Sequence, residues 1–275
     1  KMARHMKKQA YVVVSKPSTT VSKLTDVFVD YEEYKDLFID PETAHGLITH
    51  DLLVFLVDAH RPELAADRGL LNVAERVIVI DHHRRSEGFV DNPLLVYLEP
   101  SASSASELVT ELLMYFDDQL ELTRLDATAL YAGIVVDTKN FAVQAGVRTF
   151  DAASYLRRAG ADPTLVRHLF RIDFATMKAR AEIISRTEVL PGGVVISLCP
   201  ENVTNGQLVA AQTADSLLHL EGIRMSIVLF SIPEGVGISA RSQGDINVQV
   251  LMEELGGGGH QTVAGAQLKQ VTLEE

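Results

Sequence analysis

One cysteine, Cys199, stands in a chain of 275 residues, so no intramolecular disulfide can form and a reducing compartment fits. It lies in the apolar run Val194-Val195-Ile196-Ser197-Leu198-Cys199, where nothing nearby would lower a thiol pKa, and it reads as a small buried hydrophobe rather than a nucleophile. Long apolar runs are missing too: none approaches the roughly 18 residues of a membrane span. Positive charge is scarce, with 25 Lys and Arg against 37 Asp and Glu, a net charge of −12. That balance argues against broad attraction to a nucleic-acid duplex, although not against a small anionic substrate held by local cations. The basic opening Lys1-Met2-Ala3-Arg4-His5-Met6-Lys7-Lys8 lacks the apolar stretch and cleavage site of a signal peptide and has no Met at position 1, so it reads as a chain entered in mid-helix. There is no internal repeat, and the only low-complexity stretch is Gly256-Gly257-Gly258-Gly259.

What is present suffices for two domains of ordinary size, since 47% of the residues are hydrophobic and 23% charged. Short apolar runs at Gln9 to Ser15, Leu52 to Val57 and Val77 to Ile80 read as buried strands. Helical signals lie between them, such as Asp40-Pro41-Glu42-Thr43, where Asp caps and Pro takes the first turn. This alternation predicts an α/β fold with a parallel sheet flanked by helices over residues 1–165. From Thr149 to Thr187 the pattern turns helical, with a stop at Gly160 and a restart at Ala161-Asp162-Pro163, which predicts a helical connector over 166–190. After Pro191-Gly192-Gly193 the alternation resumes with strands at 194–198, 225–230 and 236–240 and helices at 207–220 and 248–255, a smaller α/β domain over 191–275.

Ligands of open parallel sheets bind outside the carboxyl ends of the strands. There the sequence puts Asp58, after Val57, and Asp81-His82-His83, after Ile80; Asp137 closes the apolar run Ala132 to Val136. A lone Asp after a strand is usually a cap or turn residue. Two adjacent histidines behind another Asp shift the reading, because imidazole and carboxylate together suit Mn²⁺, Zn²⁺ or Fe²⁺, and a metal pair assists displacement at phosphorus. In the second domain the glycine run Gly256 to Gly259 follows a predicted helix, where backbone N–H groups could converge on an anion beside His260, and Arg241 ends a strand with a guanidinium suited to phosphate or a base. Ser103, Ser104 and Ser106 precede an apolar-periodic helix and are explained by capping.

Val57-Asp58-Ala59-His60, Ile80-Asp81-His82-His83 and Gly133-Ile134-Val135-Val136-Asp137-Thr138 resemble, in order, the second, third and fourth motifs of the DHH phosphoesterase superfamily. Ile238-Ser239-Ala240-Arg241-Ser242, Asn247-Val248 and Gly256 to His260 resemble the substrate-binding signature of the DHH-associated domain. Asp81-His82-His83-Arg84-Arg85 and Glu99-Pro100-Ser101-Ala102-Ser103-Ser104-Ala105-Ser106-Glu107 are similar to the GdpP branch, bacterial enzymes that open cyclic di-AMP and whose full-length members are anchored in the cell membrane with a cytoplasmic catalytic module.

The resemblance implies a hydrolase that converts cyclic di-AMP to pApA by attack of a Mn²⁺-bound hydroxide, with two Mn²⁺ in the complete site. It implies that Asp58, His82 and Asp137 are metal ligands, that Asp81 orients a histidine, and that His83 faces the scissile phosphate. Arg241, Asn247, Gly256, Gly257, Gly258, Gly259 and His260 would bind the nucleotide, and a homodimer is compatible. The family also has a first motif, His-x-x-x-Asp-x-Asp, which supplies further ligands. No such cluster precedes Tyr11, so the chain by itself is expected to lack one metal and to be nearly inactive. Two other readings stay open: a hydrolase that trims short oligonucleotides, and a nucleotide-binding module without metals.

Overall fold

The computed structural model describes residues 1–273 and divides into two compact units, Lys1–Arg171 and Ile172–Glu275. The first opens with α1 (Met2–His5), β1 (Val12–Val13), α2 (Thr19–Val29), β2 (Phe38–Ile39) and α3 (Pro41–Gly46). The Asp40 side chain caps α3 by accepting from the Thr43 amide at 2.7 Å, with Pro41 in the first turn as its sequence predicts. Then come β3 (Leu53–Val57), α4 (Arg68–Val73), β4 (Arg76–Asp81), β5 (Leu95–Leu98) and the helices α5 (Ala105–Phe116), α6 (Arg124–Asp137), α7 (Val147–Arg158) and α8 (Pro163–Leu169).

The strands β3, β4 and β5 form one parallel sheet with β4 in the centre, where Val79 and Ile80 are almost wholly buried. That agrees with the α/β expectation. The expected strand over 9–15 departs from it: only Val12 and Val13 are extended, and they pair in parallel with Phe38 and Ile39 in a separate ribbon rather than joining the main sheet. Side-chain pattern shows that a run can be a strand but not which partner it finds, and here the adjacent Phe38-Ile39 supplies the ladder.

The second unit contains α9 (Phe174–Ser185), β6 (Glu188–Leu190), β7 (Val194–Leu198), α10 (Gly206–Leu217), β8 (Met225–Ile232), β9 (Gly235–Ser242), α11 (Val248–Glu254), β10 (Gly258–Gly259) and β11 (Val263–Lys269). Its six strands lie in the order β10-β11-β9-β8-β7-β6, antiparallel except for the β7–β8 pair. One core joins Ile183 of α9 and Val209, Ala210, Ala214 and Leu217 of α10 to Val195, Cys199 and Val228. A second joins Val248 and Met252 of α11 to Ile238, Ala240, Ala264 and Ala266.

The stretch 166–190, expected to be a connector, is divided between the units. Val166 and Leu169 of α8 are buried in the first, whereas Ile183 of α9 is a core residue of the second. Helical periodicity marks both helices but not which apolar surface each one covers. Among the described residues, no helix is long and apolar enough to cross a membrane.

Candidate metal centre

Parallel pairing places Val57 opposite Ile80, so Asp58 and Asp81 leave neighbouring strands at the same edge. The Asp58 amide continues the ladder by donating to the Ile80 carbonyl at 2.9 Å, and the backbone then turns into the left-handed region at φ 62°. Asp and Asn tolerate that region better than most side chains, and a non-glycine residue held there marks a position where local geometry outweighs backbone ease. The Asp58 carboxylate is left exposed, with Oδ1 3.4 Å from Nε2 of His82.

Asp81, at the end of β4, has no exposed surface. Burial alone would raise its pKa, but hydrogen bonds from His60 and His83 overcome that and hold the carboxyl below the usual range. Its Oδ1 accepts from Nδ1 of His83 at 2.7 Å and from the His83 amide at 3.2 Å, while Oδ2 meets Nδ1 of His60 at 2.5 Å. Asp81 thus orients two histidines. His60 stands inside the quoted motif Val57 to His60, yet the sequence alone gave it no role; the signal was a histidine two residues beyond a candidate ligand, and nothing in the pattern said that it was buried.

The His82 ring lies between the Ala102 carbonyl, 3.3 Å from Nδ1, and Asp58, facing Nε2. A carbonyl can only accept, so Nδ1 carries the hydrogen and the Nε2 lone pair points at a carboxylate oxygen. Two acceptors facing one another need a proton or a cation between them. The hydrogen bond with Asp58 accordingly raises the pKa of His82 against the opposing effect of burial. Asp58, His82 and His83 each offer one ligand atom, and these atoms lie within 4.8 Å of one another. One carboxylate and two imidazoles make a donor set that fits a first-row divalent cation.

Asp137, expected beside Asp58 and His82, is not part of this close group. It is the last residue of α6, whose end is fixed by the Thr138 amide donating to the Ile134 carbonyl at 3.0 Å. Crowding by the surrounding chain raises its pKa, and the negative charge of Asp58 raises it further, so the two carboxylates do sense one another. Ser104 caps α5 by accepting from the Glu107 amide at 3.0 Å, and the Ser103 hydroxyl donates to the Glu107 carboxylate at 2.6 Å. Ser103 and Ser104 are wholly buried, so both serve the helix start, as capping predicts.

In the second unit Arg241 lies in β9 opposite Val263 and Ser226. Its guanidinium is mostly buried, with Nε 3.4 Å from Asp215 and Nη1 donating to the Ala240 carbonyl at 3.0 Å. Asn247 caps α11, accepting from the Gln249 amide at 3.0 Å. The glycine run departs from the expected anion cradle. The Gly256 amide donates to the Glu253 carbonyl at 2.9 Å and the Gly257 amide to the Met252 carbonyl at 2.8 Å, the pattern that closes a helix through a left-handed residue, here Gly256 at φ 74°. Gly258 and Gly259 pair with Gly265 and Ala264. A Cβ at Gly257 would lie 2.2 Å from the Gly265 carbonyl oxygen, so close backbone approach requires glycine there. His260 is exposed in the turn between β10 and β11, its amide donating to the Val263 carbonyl at 2.7 Å.

The model of the DHH family N-terminal domain matches residues 3–134, and that of the DHHA1 domain matches residues 192–275. The chain is 49% identical over 279 aligned positions to the cyclic-di-AMP phosphodiesterase GdpP of Geobacillus thermodenitrificans, covering 100% of this chain and 42% of that protein. It is 46% identical to the cyclic-di-AMP phosphodiesterase PdeA of Listeria monocytogenes, covering 98% of this chain and 41% of the relative. The chain therefore spans well under half the length of these curated relatives. The crystal structure of an exopolyphosphatase-related protein from Bacteroides fragilis shares the fold, with a TM-score of 0.78 at 21% identity over 97% of this chain and 80% of that one.

Proposed function

The chain belongs to the DHH family, with DHH and DHHA1 domains in sequence, and from that premise we propose that it hydrolyses cyclic di-AMP to pApA. The observation that carries the reading is the convergence of Asp58, His82 and His83 at the carboxyl edge of the parallel sheet, with Asp81 buried behind them. The near-50% identity to a cyclic-di-AMP phosphodiesterase supports the substrate.

Asp58 and His82 would hold a divalent cation, and Asp137, outside the close group but within electrostatic reach of both, would be the further carboxylate for it. Mn²⁺ suits mixed carboxylate and imidazole donors. Such an ion supplies Lewis acidity at a phosphoryl oxygen and lowers the pKa of bound water. The rest falls to the side chains. His83 keeps Nδ1–H on Asp81, which leaves Nε2 free toward substrate. Protonated at Nε2, it becomes an imidazolium held by the Asp81 carboxylate and can give that proton to the departing 3′-oxygen. Water adds its oxygen to phosphorus and releases one proton, the bond from phosphorus to the 3′-oxygen breaks, and the products are a 3′-hydroxyl and a 5′-phosphate. In the second unit Arg241 and His260 are the donors best suited to nucleotide phosphate or base, because the Gly256 and Gly257 amides are already used by the helix end.

The test is hydrolysis of cyclic di-AMP, cyclic di-GMP and pApA in the presence of Mn²⁺, by the chain alone and by the chain preceded by the corresponding segment of the Geobacillus relative. Fastest turnover of cyclic di-AMP by the preceded chain, abolished by a chelator, is the expected result. Faster cleavage of pApA or short oligonucleotides would transfer the assignment to oligonucleotide trimming, and nucleotide binding without any hydrolysis would make the chain a binding module.

A further inference from the structure

His60 is buried, 4% exposed, and has no part in the reaction outlined above. Its ring is nonetheless held on every side. Nδ1 lies 2.5 Å from Asp81 Oδ2, and Nε2 lies 2.8 Å from the Ser86 hydroxyl and accepts from the Ser86 amide at 3.2 Å. Its face stacks on Phe89, with centroids 5.1 Å apart at 20°, and Phe89 carries the Arg85 guanidinium 4.5 Å from its own centroid. The His60 carbonyl accepts from the Val90 amide at 2.9 Å.

These contacts determine the tautomer. A backbone N–H can only donate, so Nε2 must present a lone pair to Ser86, and the ring hydrogen resides on Nδ1, aimed at Asp81. With His60 on Oδ2 and His83 on Oδ1, both oxygens of Asp81 are engaged. A carboxylate fastened through one oxygen can turn about its final torsion, whereas one fastened through both cannot. Asp81 therefore presents Oδ1 to His83 in a single orientation, and His83 presents Nε2 to the cluster.

We infer that His60 is a positioning residue: through its Nδ1–H it locks Asp81, and through Asp81 it fixes the tautomer and direction of His83 in the centre. The consequence for turnover rests on the proposed function; the hydrogen-bond chain itself does not. His60 also holds the segment 84–90 in place, since the ring bonds to Ser86 and stacks on Phe89 while the carbonyl meets Val90.

The test begins with the unloaded chain. Long-range ¹H–¹⁵N correlation spectra should show the Nδ1–H tautomer for both His60 and His83. Two substitutions then separate donor from ring. His60→Phe keeps an aromatic face for Phe89 but has no donor, whereas His60→Asn returns an N–H at the position of Nδ1. Substituting such outer hydrogen-bond partners lowers activity by roughly 10- to 100-fold, so His60→Phe should show mixed His83 tautomers in the unloaded chain and, in the chain preceded by the segment of its relative, lose that much turnover with its Mn²⁺ retained, and His60→Asn should recover most of both. An Nε2–H tautomer at His60 in the wild-type chain overturns the inference, and this needs no variant to fold. So does an unchanged His83 tautomer in His60→Phe, or equal loss in the two variants. A wild-type chain with the expected tautomers that binds no divalent cation would instead defeat the proposed function.

Discussion

His83 is the residue on which the two assignments of the centre divide. Its ring atoms lie close enough to Asp58 and His82 to share a cation, yet its Nδ1–H is committed to Asp81 and its side chain is well exposed, as suits a group that meets substrate. His83→Ala, made in the chain preceded by the segment of its relative, should keep its bound Mn²⁺ and lose roughly 10²–10⁴ in turnover, the usual span for a general acid. Elemental analysis of the purified variant beside its kcat checks this: a lost ion would make His83 a ligand. Sequence reading could reach Asp58, His82 and His83, because each follows a strand directly. It could not reach the depth of Asp81 or the role of His60, which depend on how the segment 84–90 folds back; nor could it see that Asp137 stands outside the close group, since that depends on where α6 ends.

At the scale of elements, the helices behind the sheet are tied by a polar network. Arg148 of α7 donates to both carboxylate oxygens of Glu111 in α5, at 2.7 and 2.6 Å, and Tyr97 of β5 donates to the same carboxylate at 3.0 Å. The Arg148 hydrogen bonds hold Glu111 below the ordinary glutamate range against the effect of burial. A carboxyl whose folded pKa is lowered adds stability that is complete above the unfolded pKa and is lost as the pH falls through the folded one. Arg148 is 42% exposed, so solvent screening reduces the gain to about 1 kcal/mol. Glu111→Gln should cost that much in urea unfolding at neutral pH, and the gap to wild type should close below about pH 4; a gap that persists in acid would assign the effect to packing. Motif residues can also be structural at this scale. A Cβ at Gly133 would lie 2.0 Å from the Ser106 hydroxyl, so this glycine lets α6 approach α5. Most elements were legible from periodicity and caps. The exceptions are short segments: β1, whose ladder partner lies some way along the chain, and the glycine run, where a helix end and a two-residue strand share four identical residues that carry no side-chain pattern.

The whole molecule was legible as two α/β units, because each carries its own alternation of strand and helix; which unit α9 packs against was not. Gly192 and Gly193 place the start of the second domain near 191, and by its packing α9, which precedes that point, joins the compact unit Ile172–Glu275. Ile183, wholly buried, is the reason: it packs with Val195, Ala210, Ala214 and Leu217, and the Ser197 hydroxyl donates to its carbonyl at 2.5 Å. Strand β6, which follows α9, also covers the outer edge of β7. A fragment 172–275 should therefore unfold cooperatively, whereas 191–275 loses α9 and β6 together and uncovers one side of its first core. Loss of a buried Ile side chain alone costs about 2–5 kcal/mol, comparable with the whole stability of a small domain. Thermal unfolding followed by circular dichroism should accordingly give a sharp transition for the longer fragment and a broad or absent one for the shorter. Ile183→Ala in the longer fragment should lie between them. Equal, sharp transitions in both fragments would return α9 to the role of a connector, and would show that the core formed by β7, β8 and α10 closes without it.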